Sequence, residues 1–178
     1  MTGCIEIIRG CMFSGKTTEL IRRLSVARGL VVAIKPSRDT RSGAARLMTH
    51  TGGTYPAADA RGAADVPELS ELADVVGIDE VQFFGAGLVQ VCRRLKECGN
   101  RVIIAGVSLD HFGDPFEPFA SLEGDADEIV ELSCPCAVCG GRAIHSQRLG
   151  ESTERIVVGG AEFYEPRCAA CFVPSRRS

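Results

Sequence analysis

An α/β fold with a mainly parallel sheet is predicted by three features of this 178-residue chain. Short apolar runs alternate with helical patterns, as they do in proteins built from parallel strands. The first run leads directly into Gly10-Cys11-Met12-Phe13-Ser14-Gly15-Lys16-Thr17, which fits G-x-x-x-x-G-K-[ST]. The texture then changes at Ser133, beyond which two C-x-x-C pairs appear. The expected organisation is a nucleotide-binding unit over 1–132 and a small metal-binding unit over 133–178.

The elements follow in order. Residues 4–8 form an apolar run that reads as a strand, and 19–24 read as an amphipathic helix. Residues 30–34 are apolar without a break, as in a strand buried on both faces, and Lys35-Pro36 ends it. From 37 to 64 the chain is polar and rich in Gly, Arg and Thr. A loop of that length inside a compact unit is expected to be functional or mobile. His50 lies in it and reads as structural or solvated. A short helix is predicted over 66–72 and a strand over 74–80, ending in Asp79 and Glu80. The helix over 87–98 places Leu88, Val91, Cys92 and Leu95 on one face, and Gly99-Asn100 closes it. Another buried strand covers 101–107. Asp110, His111, Phe112, Pro115 and Phe116 fall in the loop after it. A short helix over 120–126 and a strand over 129–132 complete the first unit.

Gly10 and Gly15 permit backbone conformations that a Cβ resists, so the loop can turn successive N–H groups inward at a helix N-terminus. Lys16 would reach the β- and γ-phosphates of a nucleotide, and the Thr17 hydroxyl would hold Mg²⁺. An acidic residue ending a strand downstream of such a loop is the expected second partner of the metal, and Asp79 fits. Neighbouring residues at a strand end can diverge, so Glu80 can face a nucleophilic hydroxyl as its base. Phe83 and Phe84 follow, and either could belong to the core or stack on a flat ring. Asp39 and Arg41 either reach phosphates or belong to a solvated charged loop.

Cys136, Cys139, Cys168 and Cys171 can supply four thiolates in a closed tetrahedral array around Zn²⁺, which makes a structural rather than a catalytic site. Cys134 competes with Cys136 for one position. Cys136 is preferred because it completes C-x-x-C. The other four of the nine cysteines, Cys4, Cys11, Cys92 and Cys98, lie in or beside apolar runs and read as small buried hydrophobes. A net charge of −3 gives no reason to expect a nucleic-acid partner, and no run reaches the length of a membrane span. The chain enters a strand almost at its start, without a leader-like segment, and a cytoplasmic location is expected.

Taken together, these residues resemble the type II thymidine kinases over nearly the whole chain. The resemblance rests on residues 12–23, Asp39-Thr40-Arg41, Ile78-Asp79-Glu80 with Gln82-Phe83-Phe84, Pro115-Phe116 and Ala126-Asp127-Glu128. Both cysteine pairs, Arg148-Leu149 and Val158-Gly159-Gly160-Ala161 with Tyr164 carry it further. It implies a P-loop, RecA-like fold and transfer of the γ-phosphate of ATP to the thymidine 5′-hydroxyl, with deoxyuridine as a further acceptor. By similarity Glu80 is the proton acceptor. The nucleotide site comprises residues 10–17, Asp39, Thr40, Arg41, Asp79, Glu80, Val81 and Gln82. The segment between the cysteine pairs is similar to a lasso that closes over thymidine and reads the base through the backbone of Arg155, Ile156, Val157, Val158 and Gly159. Met12, Phe83, Phe116, Ser146 and Tyr164 match positions that enclose the nucleoside. Of His111 and Phe112, Phe112 is taken as the family's aromatic near the sugar. The resemblance also implies a homotetramer, with dTTP as a feedback inhibitor. Cys11 stands where many members have Pro or Ser, and Ser42 where a tyrosine is common.

Two other readings fit parts of the pattern. A nucleoside monophosphate kinase with a zinc lid would carry its cysteines in mid-chain, whereas here both pairs follow the last strand of the first unit. A zinc-ribbon P-loop ATPase that binds DNA would show a basic patch, and the cysteine region has mixed charge.

Overall fold

A computed structural model describes residues 2–37, 46–49, 51–150, 154–156 and 159–175. The predicted run at 4–8 is strand β1 (Cys4–Gly10), and helix α1 (Lys16–Ser25) follows the glycine-rich loop. Next come β2 (Val31–Pro36), β3 (Arg46–Met48), β4 (Thr54–Pro56), β5 (Ala58–Ala60) and α2 (Val66–Leu69). β6 (Val75–Ile78), α3 (Gly87–Glu97), β7 (Arg101–Val107), α4 (Phe119–Leu122) and β8 (Glu128–Leu132) complete the first unit.

Six of these strands form one sheet in the order β5-β2-β6-β7-β1-β8, with every adjacent pair parallel. The continuous apolar runs explain this, because both faces of the central strands are covered. Ile8, Ala33, Val75, Ile103 and Ala105 face Leu20 and Leu24 of α1. Ile5, Ile7, Ile34, Val76, Ile78, Val102 and Ile104 face the other way, toward Leu88 and Cys92 of α3.

One charged residue interrupts β1. Glu6 is buried, and it is paired with Arg23 of α1 and with Arg101 of β7, whose Nε lies 2.6 Å from its carboxylate. Arg23 also donates to Glu19 at 2.8 Å and to Glu128 at 2.9 Å. A buried charge is tolerated only when paired and hydrogen-bonded. The network fixes α1, and so the loop that precedes it, against three strands of the sheet.

The stretch over 37–64 differs from its prediction as one long loop. It contains a β3/β4 hairpin and the edge strand β5, which pairs Ala58 with Ile34 of β2. These strands are three residues each, too short to show a period-two pattern. Backbone pairing makes them: β3 and β4 pair with each other, and β5 pairs with the edge offered by β2. The helix predicted over 120–126 is the single turn α4, and that over 66–72 is shortened to α2.

Beyond Leu132 the described residues hold two small antiparallel ladders. β9 (Cys134–Pro135) pairs with β10 (Arg142–Ala143), and β11 (His145–Arg148) pairs with β12 (Tyr164–Arg167). Among the described residues, no helix is long and apolar enough to cross a membrane.

Candidate active site

Because the sheet strands are parallel, β1, β6 and β7 deliver their following loops to one edge, where open α/β sheets bind ligands. A cleft of about 870 Å³, counting its open mouth, lies there. Met12, Phe13, Gly15, Lys16 and Thr17 line it after β1, Glu80, Gln82 and Phe83 after β6, and His111 and Phe116 after β7. Ser146, Arg155, Ile156, Gly159 and Tyr164 line it from the cysteine-bearing segment.

The loop after β1 has the backbone its glycines anticipate. Gly10 has φ 155°, and a Cβ there would stand 2.3 Å from the Leu132 carbonyl oxygen. Gly15 (φ 86°) caps α1, and Phe13 also takes a positive φ of 66°. The Lys16 Nζ is buried and donates to the Cys11 carbonyl at 2.6 Å. Burial pushes its ammonium pKa down, and the nearby charges of Glu80 and Asp79 oppose that.

β6 ends at Ile78, and the next two residues separate as the strand-end argument expects. Asp79 turns inward, where its carboxylate accepts a 2.8 Å hydrogen bond from the Thr17 hydroxyl. Burial first, and then the Glu80 charge, raise its pKa to about 7. Glu80 takes a left-handed conformation, φ 50° and ψ 46°. Non-glycine residues rarely adopt it, and it concentrates at functional sites. That turn sends Glu80 toward the cleft. Gln82 Nε2 donates to the Glu80 carboxylate at 2.6 Å, while its Oε1 accepts from the Val107 N–H at 3.1 Å. Gln82 thus braces Glu80 against the end of β7. Gly106 makes room for it, since a Cβ there would lie 2.5 Å from Gln82 Oε1.

The cysteine-bearing segment is tied to the first loop. Ser146 Oγ accepts from the Met12 N–H at 2.9 Å, and the sulfurs of Cys11 and Cys134 are 3.7 Å apart. Tyr164 forms part of the cleft wall, and Arg148 donates to its hydroxyl at 2.9 Å. The ligand sulfurs of Cys136, Cys139, Cys168 and Cys171 all lie within 4.8 Å of one another. A zinc–sulfur bond of about 2.3 Å in a tetrahedron implies about 3.8 Å between sulfurs, so the cluster could bind a metal such as zinc. Cys134 is turned toward Cys11 and the Met12 carbonyl instead. Burial raises the Cys136 pKa, but backbone N–H donors from Cys139, Cys168 and Val138 outweigh it and bring the thiol down to about 6. The hydrogen bond from Cys139 lowers Cys168, whereas thiol neighbours hold Cys171 up at about 12.

Not every expected site residue reaches the cleft. Asp39, Thr40, Arg41, Val157 and Val158 lie outside the described residues. Val81 is wholly buried in the core beneath the site, and Cys11 faces the cysteine segment. Phe112 is not on the cleft wall. His111 is, with Phe112 tilted against it at a ring separation of 4.0 Å. The turn that follows β7 is organised by the Asp110 carboxylate, which accepts from the N–H of Phe112 and of Asp114, and this sets which ring faces inward. Thr49, Leu109 and Asp110 also line the cleft and had no sequence motif to reveal them.

Comparison with known proteins is consistent with this geometry. The family model described as thymidine kinase matches residues 3–172. A thymidine kinase of Rhodothermus sp. (strain ITI 518) is 45% identical over 177 residues, covering 98% of this chain and 83% of the relative. That of Coprothermobacter proteolyticus is 42% identical over 175 residues, covering 93% and 88%. That of Bacteroides thetaiotaomicron is 40% identical over 177 residues, covering 98% and 89%.

Proposed function

The chain belongs to the thymidine kinase family, and on that premise we propose how its residues divide the work of moving the γ-phosphate of ATP to thymidine. It is an ATP-dependent thymidine kinase. One observation carries the residue-level reading: Lys16, at the start of α1, and Glu80, just after β6, line the same cleft. One supplies positive charge and the other a base.

The loop amides of residues 10–17 and the Lys16 ammonium bind the phosphates and offset their charge. Phosphoryl transfer needs positioning and charge stabilisation more than covalent help from the protein. Thr17 and Asp79, already within hydrogen-bond distance of one another, would hold the Mg²⁺ that accompanies ATP. That ion would supply charge neutralisation on the phosphates. Asp39, Thr40 and Arg41 belong to the same nucleotide site by family resemblance. Glu80 accepts the proton of the 5′-hydroxyl, and Gln82 holds its carboxylate in place. Met12, Phe83, Phe116, Ser146 and Tyr164 enclose the nucleoside, and by family resemblance the segment 155–159 would cover it, which would exclude water from the reacting groups. Zn²⁺ is the metal of the four-cysteine site, and its role is to fold the segment over 133–178. A cytoplasmic homotetramer with thymidine and ATP as substrates and dTTP as feedback inhibitor completes the proposal.

Transfer of labelled γ-phosphate from ATP to a panel of nucleosides and nucleoside monophosphates tests it, with Glu80→Gln as the control. The expected result is labelled thymidine monophosphate, with kcat lowered about 10²–10⁴-fold in the variant and ATP binding retained. Full activity in Glu80→Gln would remove Glu80 from the role of base. Labelling of a monophosphate in place of thymidine would favour the lid-bearing monophosphate kinase.

A further inference from the structure

We propose that Asp110 and Arg155 are a positioning pair, fixing the cleft wall made by residues 154–156 and thereby setting the affinity for the nucleoside. The proposal rests on reading the cleft as the nucleoside site. Asp110, at 2% exposure, is among the most buried charged residues described. One of its oxygens, Oδ1, is committed to the turn after β7, where it accepts from the Phe112 N–H at 3.0 Å and the Asp114 N–H at 2.9 Å. The backbone of the same turn is closed by Asp110 N–H to Asp114 O at 2.9 Å and Gly113 N–H to Asp110 O at 3.0 Å. Its other oxygen, Oδ2, accepts from Arg155 Nε at 2.6 Å.

Arg155 makes further contacts with that same turn. Its Nη2 donates to the Pro115 carbonyl at 3.0 Å, and its guanidinium lies 5.0 Å from the centroid of the Phe116 ring. Next to it, the Glu154 carbonyl oxygen is 3.0 Å from His111 Nε2. Two consecutive residues from the cysteine-bearing segment are therefore docked, through side chain and backbone, on one turn of the first unit. Arg155, Ile156, His111 and Phe116 all line the cleft, so this docking defines the wall.

The asymmetry of the pair decides its weight. An ion pair exposed at both ends contributes little. Here the arginine side chain is 53% exposed and the aspartate side chain 1%. Removing the arginine leaves a buried carboxylate with amide donors and, among the described residues, no other ion-pair partner, which is the costly way to break an ion pair. The docked wall is thus the favoured arrangement before any nucleoside arrives. A preformed wall strengthens binding, because apparent affinity falls with the fraction of molecules in the competent state.

The experiment compares wild type, Arg155→Ala, Arg155→Lys and Asp110→Asn as full-length, zinc-replete protein. Thymidine and ATP affinities are measured separately by calorimetry, together with amide hydrogen exchange of the peptide spanning 149–163. Arg155→Ala is expected to weaken thymidine binding about tenfold, the effect of losing one charge-assisted hydrogen bond. Its ATP affinity should change less than twofold, and the peptide should exchange faster. Arg155→Lys should recover part of both effects, because it keeps the charge but not the fork that also reaches Pro115. Asp110→Asn keeps an acceptor for the turn and should behave like Arg155→Ala. Equal thymidine affinity and equal exchange in Arg155→Ala and wild type would overturn the pairing, as would parallel losses of thymidine and ATP affinity. If wild type transfers no phosphate to thymidine, the functional reading fails on that result alone. The exchange comparison needs no substrate and still decides whether the pair holds the wall.

Discussion

Gln82→Met isolates an interaction that the sequence motif contains but does not explain. Gln82 is buried, and its amide spans two elements: Nε2 to Glu80 at 2.6 Å, Oε1 from the Val107 N–H at 3.1 Å. Methionine has similar length and volume but makes neither bond. Glu80 occupies a left-handed conformation that costs about 1–3 kcal/mol and persists only when its surroundings enforce it. A hydrogen bond to a charged group contributes about 1.5–3 kcal/mol. At about 1.4 kcal/mol per factor of ten, loss of the brace should lower kcat for thymidine phosphorylation about 10–100-fold. Leaving the Val107 N–H without its acceptor should also cost about 1–3 kcal/mol of folding stability. The assay is steady-state kinetics with denaturant unfolding in parallel, for Gln82→Met alone and in the Glu80→Gln background. If Gln82 acts through Glu80, the double variant is no slower than Glu80→Gln. A kcat within twofold of wild type, or losses that multiply in the double variant, would refute the bracing role.

Gly106→Ala should act on the same brace from behind, since its methyl would meet Gln82 Oε1 at 2.5 Å and the Val81 nitrogen at 3.0 Å. A kcat loss comparable to that of Gln82→Met is expected, with a stability cost of about 1–3 kcal/mol read from denaturant melts. Arg23→Met should destabilise the fold by about 2–4 kcal/mol at neutral pH, because Glu6 then keeps only part of its compensation. Arg101 and Arg23 together hold the Glu6 pKa below its ordinary value despite burial, and Arg22 and Arg23 hold Glu19 down at about 2. Depressed carboxylates stabilise above their unfolded pKa of about 4.3 and lose that contribution as the pH falls toward the folded value. The Arg23→Met deficit should therefore be full at pH 7 and shrink between roughly pH 4.3 and 2, as unfolding measured across that range would show. Cys136→Ser should lose bound metal while Cys134→Ser retains it, measured as zinc per chain by elemental analysis. The opposite result would exchange their roles.

Contiguous patterns made much of this molecule legible from sequence. The loop from Gly10 to Thr17, the apolar runs of the sheet, the acidic pair at the end of β6 and the two C-x-x-C units are each defined by neighbours along the chain. What escaped depends on contacts between distant residues. β5 is a strand because β2 offers it an edge, not because Ala58-Asp59-Ala60 has any pattern of its own. The sequence favours Phe112 over His111 as the match to the family's aromatic near the sugar, whereas the turn organised by the Asp110 carboxylate puts the His111 ring on the cleft wall. Gln82 is visible in the motif after Glu80, yet its function as a brace needs Val107, which is far along the chain and one strand over.

The placement of the four-cysteine cluster follows from a shortage of core. The segment beyond Leu132 exposes Val138, Leu149, Ile156, Phe163 and Val173. Its buried apolar cluster is built from Cys136 and Ala143, with Cys11 contributed by the glycine-rich loop. So small a cluster cannot order a lobe, and units of this size are usually completed by a metal or by disulfides. The lobe nevertheless presents Ser146, Arg155 and Tyr164 to the cleft, and Ser146 holds the Met12 amide at the edge of the phosphate loop. The phosphate side is fixed by the sheet through Glu6, Arg23 and Arg101, and meets the cysteine lobe only where Cys134 touches Cys11 and Met12 and Ser146 holds the Met12 amide. Metal loss should therefore degrade the nucleoside wall well before the phosphate cradle. The two halves of the cleft draw their rigidity from different sources, and the seam between them runs through Cys11 and Met12.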